Sequence, residues 1–299
     1  MSWITFSILS SLLLAAGNIA DKYIVDKHVN KLGALALIYA IIMYIFAGLI
    51  FLFIGFNILP IKDTFLILLT GVFAVSALLA YYKALVIDEA SRVIPLFQTV
   101  PIYALILGYV FLGEVIKPIT YPGFILVLLG GILLSTKKFD ASILKPRSSF
   151  LLMMVAAFSS AAISIIFKKI SLENSFWQTL AWQNLAIAIV ASFLVTAPTL
   201  RKDFIETIHN KGIKIIGLMG SSESLFFFGG MLKYYAITLA PVALVTVLGG
   251  VQPFFVFLYG ILLTIFLPHL IKEELSKKIL TQKLFSIFLI VIGAYLVTL

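Results

Sequence analysis

Few residues in this chain could do chemistry, and Glu223 stands out among them. It is one of 13 Asp and Glu in 299 residues, and it sits in the middle of an apolar run, within Gly220, Ser221, Ser222, Glu223 and Ser224. A carboxylate at the centre of a membrane helix costs about 2.5–3.5 kcal/mol on insertion scales, so it must face a cavity or a partner rather than lipid. Low dielectric penalises the charged form. Two functional readings follow: Glu223 exchanges a proton during a transport cycle, or it binds a cationic group. The structural alternative is a carboxyl hydrogen-bonded to its serine neighbours at a helix contact.

A second group of residues is polar but uncharged. Asn18, Gln98, Gln183, Asn184 and Gln252 each fall inside or near an apolar run. An amide in such a place either binds helices together or reads a ligand. Trp182, beside Gln183 and Asn184, could add an aromatic surface, although neighbouring helix positions point in different directions. Pro101 and Pro253 each remove a helix hydrogen bond, as hinges or as permanent kinks. Lys22 and Lys168 lie at span ends, where attracting an anion, gating and snorkelling to headgroups are the open readings.

What positions these residues follows from composition. The chain is 62% hydrophobic and only 12% charged, against roughly 25% charged in soluble domains. Too few charges remain to cover a surface that faces water. A spanning helix needs about 20 apolar residues, so ten would occupy about 200 positions and leave short connections. Apolar runs fall at 3–21, 33–56, 64–84, 93–113, 119–135, 149–167, 177–197, 213–235, 239–267 and 284–299. They lack the alternation of a barrel, so helices are required to satisfy the backbone in lipid. The longest polar interruptions, 136–148, 198–212 and 268–283, are too short for a separate soluble domain. The start of the chain has no basic residue before Lys22 and no small-residue cleavage pattern, so the first span is expected to be permanent.

The two halves look alike. Sliding Tyr82–Gly108 onto Tyr234–Gly260 matches Tyr82 with Tyr234, Ala84 with Ala236, Val93 with Val245, Leu96 with Leu248, Pro101 with Pro253 and Gly108 with Gly260. A second register places Ala15, Ala16, Lys22 and Ile24 on Ala161, Ala162, Lys168 and Ile170. Proline and glycine carry backbone geometry and are hard to match by chance. The expected fold class is therefore an all-α integral membrane protein with ten transmembrane helices as two five-helix repeats, 1–136 and 149–299, joined by a loop at 137–148. An odd number of crossings per unit inverts the second unit, which is the architecture of secondary transporters with a midplane cavity.

The stretch Ala84 to Glu114, ALVIDEASRVIPLFQTVPIYALILGYVFLGE, closes on Leu112, Gly113 and Glu114. With Gly17 and Asn18 in the first span and Trp182, Gln183 and Asn184 in the seventh, it resembles the EamA-type transporters of the drug/metabolite transporter superfamily. That resemblance implies a ten-helix basket that moves small organic metabolites, usually outward, by alternating access. The second unit departs from the pattern: it is 11 residues longer between matched landmarks, and no Leu-Gly-Glu closes its ninth span.

Several classes are excluded. Without Cys there is no disulfide framework and no thiolate metal site, and His28, His209 and His269 are scattered over connections, so neither a metal nor a cofactor is expected. A membrane enzyme would need convergent acids, bases or metal ligands, which the spans do not supply. No GxxxxGK[ST] pattern supports an ATP-driven pump. The net charge of +9 is spread over many loops, so orientation explains it better than nucleic acid does. Of 22 Lys and Arg, 17 emerge after odd-numbered spans and 5 on the other side. By the positive-inside rule both termini are then outside, whereas members of the family usually have both inside. The expected function is a plasma-membrane, multi-pass exporter of an amino acid, amine or drug-like compound, possible as a proton-coupled carrier. A flippase for lipids or lipid-linked sugars on the same scaffold is the alternative. The expected partners are the small-molecule substrate and the bilayer, with the chain a monomer or homodimer.

Overall fold

The computed structural model describes residues 2–29, 31–87, 93–135, 148–266 and 277–298. All regular structure among them is helical. In chain order the helices are α1 (Trp3–Lys27), α2 (Leu32–Ile54), α3 (Ile61–Ile87), α4 (Val100–Leu112), α5 (Tyr121–Ser135), α6 (Ser148–Ser171), α7 (Phe176–Ser192), α8 (Pro198–Lys211), α9 (Lys214–Leu239), α10 (Val242–Leu248), α11 (Gln252–Phe266) and α12 (Lys277–Val297).

Every predicted apolar run falls on a helix. Among the described residues, seven segments are long and apolar enough to cross a membrane: Trp3–Asp21, Gly33–Ile54, Ile61–Tyr81, Ser148–Ser171, Phe176–Thr196, Lys214–Leu239 and Val242–Phe266. Leu96–Leu112, Pro118–Leu134 and Thr281–Val297 are shorter apolar helices. The helix ends follow from local chemistry. The Ser2 hydroxyl accepts from the Thr5 amide and Ser175 accepts from Gln178, each capping an N-terminus. Gly55, at φ 77°, ends α2. Gly113, at φ 65°, ends α4, and the Glu114 amide donates back to Gly108 at 3.0 Å. This is the closing turn that a left-handed glycine makes possible.

Two predicted features change. The polar interruption at 198–212 contains a helix, α8, which begins at Pro198 and stops at Gly212. Proline at the first helical position gives up an amide that had no partner anyway, which is why so polar a segment still winds. The last helix begins at Lys277 rather than at 284. The stretch 136–147, within the predicted loop joining the halves, lies outside the described residues, as do 267–276 and the cluster of Asp88, Glu89 and Arg92.

Packing brings helices from the two halves together. α1 lies along α9, α3 along α6, α2 along α7 and α5 along α12. In the last pair Gly123 and Gly293 each face the other's carbonyl, leaving no room for a Cβ. Buried apolar clusters sit at both ends of these contacts. Ile24, Leu35, Ile38 and Met219 meet at one end, and Ile50, Phe167, Leu180 and Ala181 at the other.

Candidate functional site

Glu223 lies on α9. Its serine neighbours bond elsewhere: Ser221 donates to the Leu218 carbonyl at 2.7 Å, Ser224 to the Gly220 carbonyl at 2.7 Å, and Ser222 to Asp21 Oδ1 on α1 at 2.5 Å. No hydrogen bond or ion pair reaches Glu223 among the described residues. The serine-bound structural carboxyl expected as one alternative is therefore not what forms.

What Glu223 faces is a cavity of about 140 Å³ between α2, α7 and α9. Tyr39 and Met43 line it from α2, Gln183 and Asn184 from α7, and Phe226, Phe227 and Tyr234 from α9. The helical period explains the α9 set, because positions 223, 226, 227, 230 and 234 share one face. Asn184 is satisfied within its own helix, its amide nitrogen donating to the Leu180 carbonyl at 2.7 Å. Gln183 is different. It is only 3% exposed, and its Oε1 has no hydrogen-bond partner among the described residues. A buried carbonyl oxygen without a donor is costly, at about 1–3 kcal/mol. Gln183 and Glu223 both line the cavity, but the Gln183 Oε1 atom is sealed within its wall. Asp21 lies within electrostatic reach of Glu223. No Lys or Arg lines the cavity among the described residues.

The other predicted residues are dispersed. Trp182 turns away from Gln183: its indole N–H donates to the Asn57 carbonyl at 2.9 Å, and its ring packs on Phe51 and Phe56. Gln98 lies at the junction of three segments, with its Oε1 against Gly131 of α5 and Gly250 at the break before α11. Asn18 is exposed on α1, and Gln252 is half-buried at the start of α11. Pro101 and Pro253 occupy matching places. Each is the second residue of an α-helix that continues from a 3₁₀ stretch, Ile94–Thr99 before α4 and Gly249–Val251 before α11. There the missing amide costs little, and both segments break at the same point.

Lys168 does not snorkel. Its side chain, only 12% exposed, pairs with Glu114 Oε1 at 2.5 Å and donates to the Ala240 carbonyl at 2.7 Å. Glu114 Oε2 also accepts the Val242 amide at 2.8 Å, capping α10. The Leu112, Gly113, Glu114 motif thus ends one helix and starts another. The side chain of Lys22 lies outside the described residues. Tyr234 stacks on Phe167 with centroids 4.3 Å apart and lines the cavity.

Sequence reasoning missed Asp21, Tyr39, Phe226, Phe227 and Tyr234 as neighbours of Glu223. Asp21 carried a signal, being an acid on the last residue of the first predicted span. The aromatics carried none, since Phe and Tyr occur throughout the chain.

Residues 1–136 match the EamA-like transporter family. No curated protein matches the sequence. A crystal structure of a protein 16% identical in sequence superposes with a TM-score of 0.66, covering 99% of this chain and 98% of that one. At that identity the likeness establishes a shared fold and nothing about cargo. The apolar helices, with the family match over residues 1–136, support a multi-pass integral membrane protein.

Proposed function

We propose that this chain, whose first 136 residues match the EamA-like transporter family, is a secondary carrier that exports a small organic metabolite by alternating access. Its ten apolar runs form two inverted units, 1–136 and 149–299, joined through 137–148, with α4 and the α10–α11 pair as equivalent broken spans. The cross-pairing of α1 with α9 and α3 with α6 supports this reading, because each pair is the other's image under such an exchange. The matched prolines at matched breaks support it too. The protein works in the plasma membrane as a carrier rather than an enzyme, alone or as a homodimer.

The observation that carries the function is the cavity in which Glu223 stands unpaired. An intramembrane carboxylate without a partner is a functional group by default. Glu223 takes up a proton when the cavity is empty and gives it up when cargo arrives, so that export runs against proton entry. The test is purified protein in vesicles with an imposed pH gradient and a panel of metabolite classes. Wild type drives counterflow of at least one class with coupled proton movement. Glu223→Gln, of unchanged melting temperature, loses gradient-driven transport by more than about tenfold, in line with loss of a required proton-transfer group. Wild-type rates in that variant would end the proposal.

A further inference from the structure

A cation inside a span plays no part in the carrier reading above. Lys233 lies on α9, within the spanning segment Lys214–Leu239, and does not line the cavity of Glu223. Its place on the helix turns it away from lipid. Ser221, Phe228 and Tyr235 form an exposed stripe on α9. At about 100° per residue, Lys233 stands about 200° round from Tyr235, on the far side. One turn before it Gly229 meets Leu14 of α1, and one turn after it Ile237 is sealed against Ala104 of α4 and Ala161 of α6. Lys233, between these buried neighbours, is itself half-buried. Accessible surface on an inward face marks open space within the bundle, beside α1, α4 and α6.

The ammonium does not reach headgroups easily. Leu239, the nearer end of α9, is six residues on, about 9 Å along the axis. Side chains in a helix lean toward its N-terminus, so Lys233 leans back toward the level of Leu14, near the middle of Trp3–Asp21. Among the described residues it has no hydrogen bond and no ion pair, and no acid stands within electrostatic reach. Its Nζ is 5.8 Å from the Tyr234 ring centroid, at the outer limit of a cation–π contact. A charge at this depth calls for a partner.

The missing partner has a definite chemistry. Three N–H donors and one positive charge suit oxygen acceptors that carry a single negative charge. No second cation shares the site among the described residues, so a phosphate monoester, at about −1.5 to −2, would stay partly uncompensated. Glu223 lies ten residues earlier on α9, about 15 Å along the axis, too far for the two charges of one α-amino-acid headgroup to reach both.

Resting on the carrier reading above, we propose that Lys233 anchors the cargo by binding the carboxylate of a small organic monoanion in the space beside α1, α4 and α6. Glu223 then handles the proton and Lys233 the cargo, at separate places on one helix.

The experiment follows thermal melting of the purified full-length protein in detergent, in low-chloride buffer of constant ionic strength. The probes are acetate with acetamide, butyrate with butyramide, benzoate with benzamide, and phenyl phosphate. At least one acid raises the melting temperature saturably, with an apparent affinity at least about tenfold above that of its amide. Phenyl phosphate binds no tighter than the best acid. Lys233→Met erases the difference between acid and amide and melts no lower than wild type, because an unpaired charge is lost while the volume of its stem is kept. Lys233→Arg keeps the preference for the acid. The assignment is overturned if no acid binds better than its amide, or if the preference survives in Lys233→Met. Chloride or phenyl phosphate binding tighter than every acid overturns it too. So does a Lys233→Met protein that melts well below wild type, which would make the lysine a structural group.

Counterflow in vesicles separates this inference from the function it rests on. An acid preference lost in Lys233→Met, without counterflow of any metabolite, overturns the carrier reading and leaves the carboxylate site standing. Counterflow of a metabolite that Lys233→Met carries at the wild-type rate overturns the site and leaves the carrier.

Discussion

Two carboxylates inside this protein have opposite surroundings. Glu114 has both oxygens engaged, Oε1 in an ion pair with Lys168 at 2.5 Å and Oε2 by the Val242 amide at 2.8 Å. Glu223 has neither oxygen engaged among the described residues, and it faces a cavity. The first arrangement is what a structural junction requires, since it ties the ends of α4, α6 and α9 to the start of α10. In the second, a carboxylate without a partner among the described residues faces open space, as the proposed carrier role requires. The difference teaches that a charge inside the bilayer does not by itself mark a site. What marks it is the absence of a partner.

Breaking the junction has the largest expected effect. Lys168→Met leaves Glu114 buried with an uncompensated charge, which costs about 3–5 kcal/mol. Thermal melting in detergent should show a steep loss of stability, while the ligand preferences of whatever protein remains folded stay the same. The double variant Glu114→Leu with Lys168→Met recovers only part of it, because the Val242 amide and the Ala240 carbonyl then lose their partners. A double variant as stable as wild type would show that the ion pair and its two backbone contacts add nothing net over an apolar pair.

A second contrast follows from the register that matches Tyr82 with Tyr234. Continued back along α3 and α9, it sets Gly71 opposite Glu223. α3 lies along α7, and a Cβ on Gly71 would collide with the Ala186 carbonyl. α9 faces α2 across the cavity instead. One position of the pair is closed backbone to backbone and the other holds open space. Gly71→Leu should therefore destabilise by about 1–3 kcal/mol or more, since the helices must part to admit it. Glu223→Leu should do the reverse, raising stability by about 1–3 kcal/mol as an unsatisfied group is replaced by an apolar one, while abolishing transport. Melting curves of the two variants must shift in opposite directions. A shift in the same direction would show that the two positions are not differently packed.

Much of this was legible from residue types. The ten apolar runs located the helices, and Glu223 was visible because charge within such a run is costly wherever the chain folds. Gln183 and Asn184 were visible for the same reason, and both line the cavity. Trp182 was not separable from them in sequence: a helix turns about 100° per residue, so a neighbour one step away faces Asn57 instead. The Glu114–Lys168 pair was illegible because it joins residues far apart in the chain, and a lysine at a span end reads as a snorkelling one. α8 was hidden by its polarity, since its periodic face meets α2 and not lipid.

α8 supplies the smallest expected effect and extends the same comparison to the surface. It docks on the start of α2, where Glu206 pairs with Lys31, Lys202 stands 3.7 Å from Glu206, and the Gly33 amide donates to Asp203 at 3.4 Å. The hydrogen bond from Lys31 holds the Glu206 carboxyl below its ordinary range, and the same bond raises the Lys31 ammonium above its own. The two signs differ. For Glu206 the stabilisation is present above the ordinary carboxylate pKa and is lost as pH falls through the lowered folded value. For Lys31 it is present below the ordinary lysine pKa and is lost as pH rises through the raised folded value. Docking is thus strongest across the neutral band. Both groups are exposed, so the effect is small and screened by salt. A spin label on Thr199→Cys should become slightly more mobile on acidification below the carboxylate range, and equally at neutral pH in about 1 M salt. Glu206→Gln should start at the mobile value and lose the acid response. An acid response that survives in Glu206→Gln would place the pH-sensitive contact elsewhere on α8.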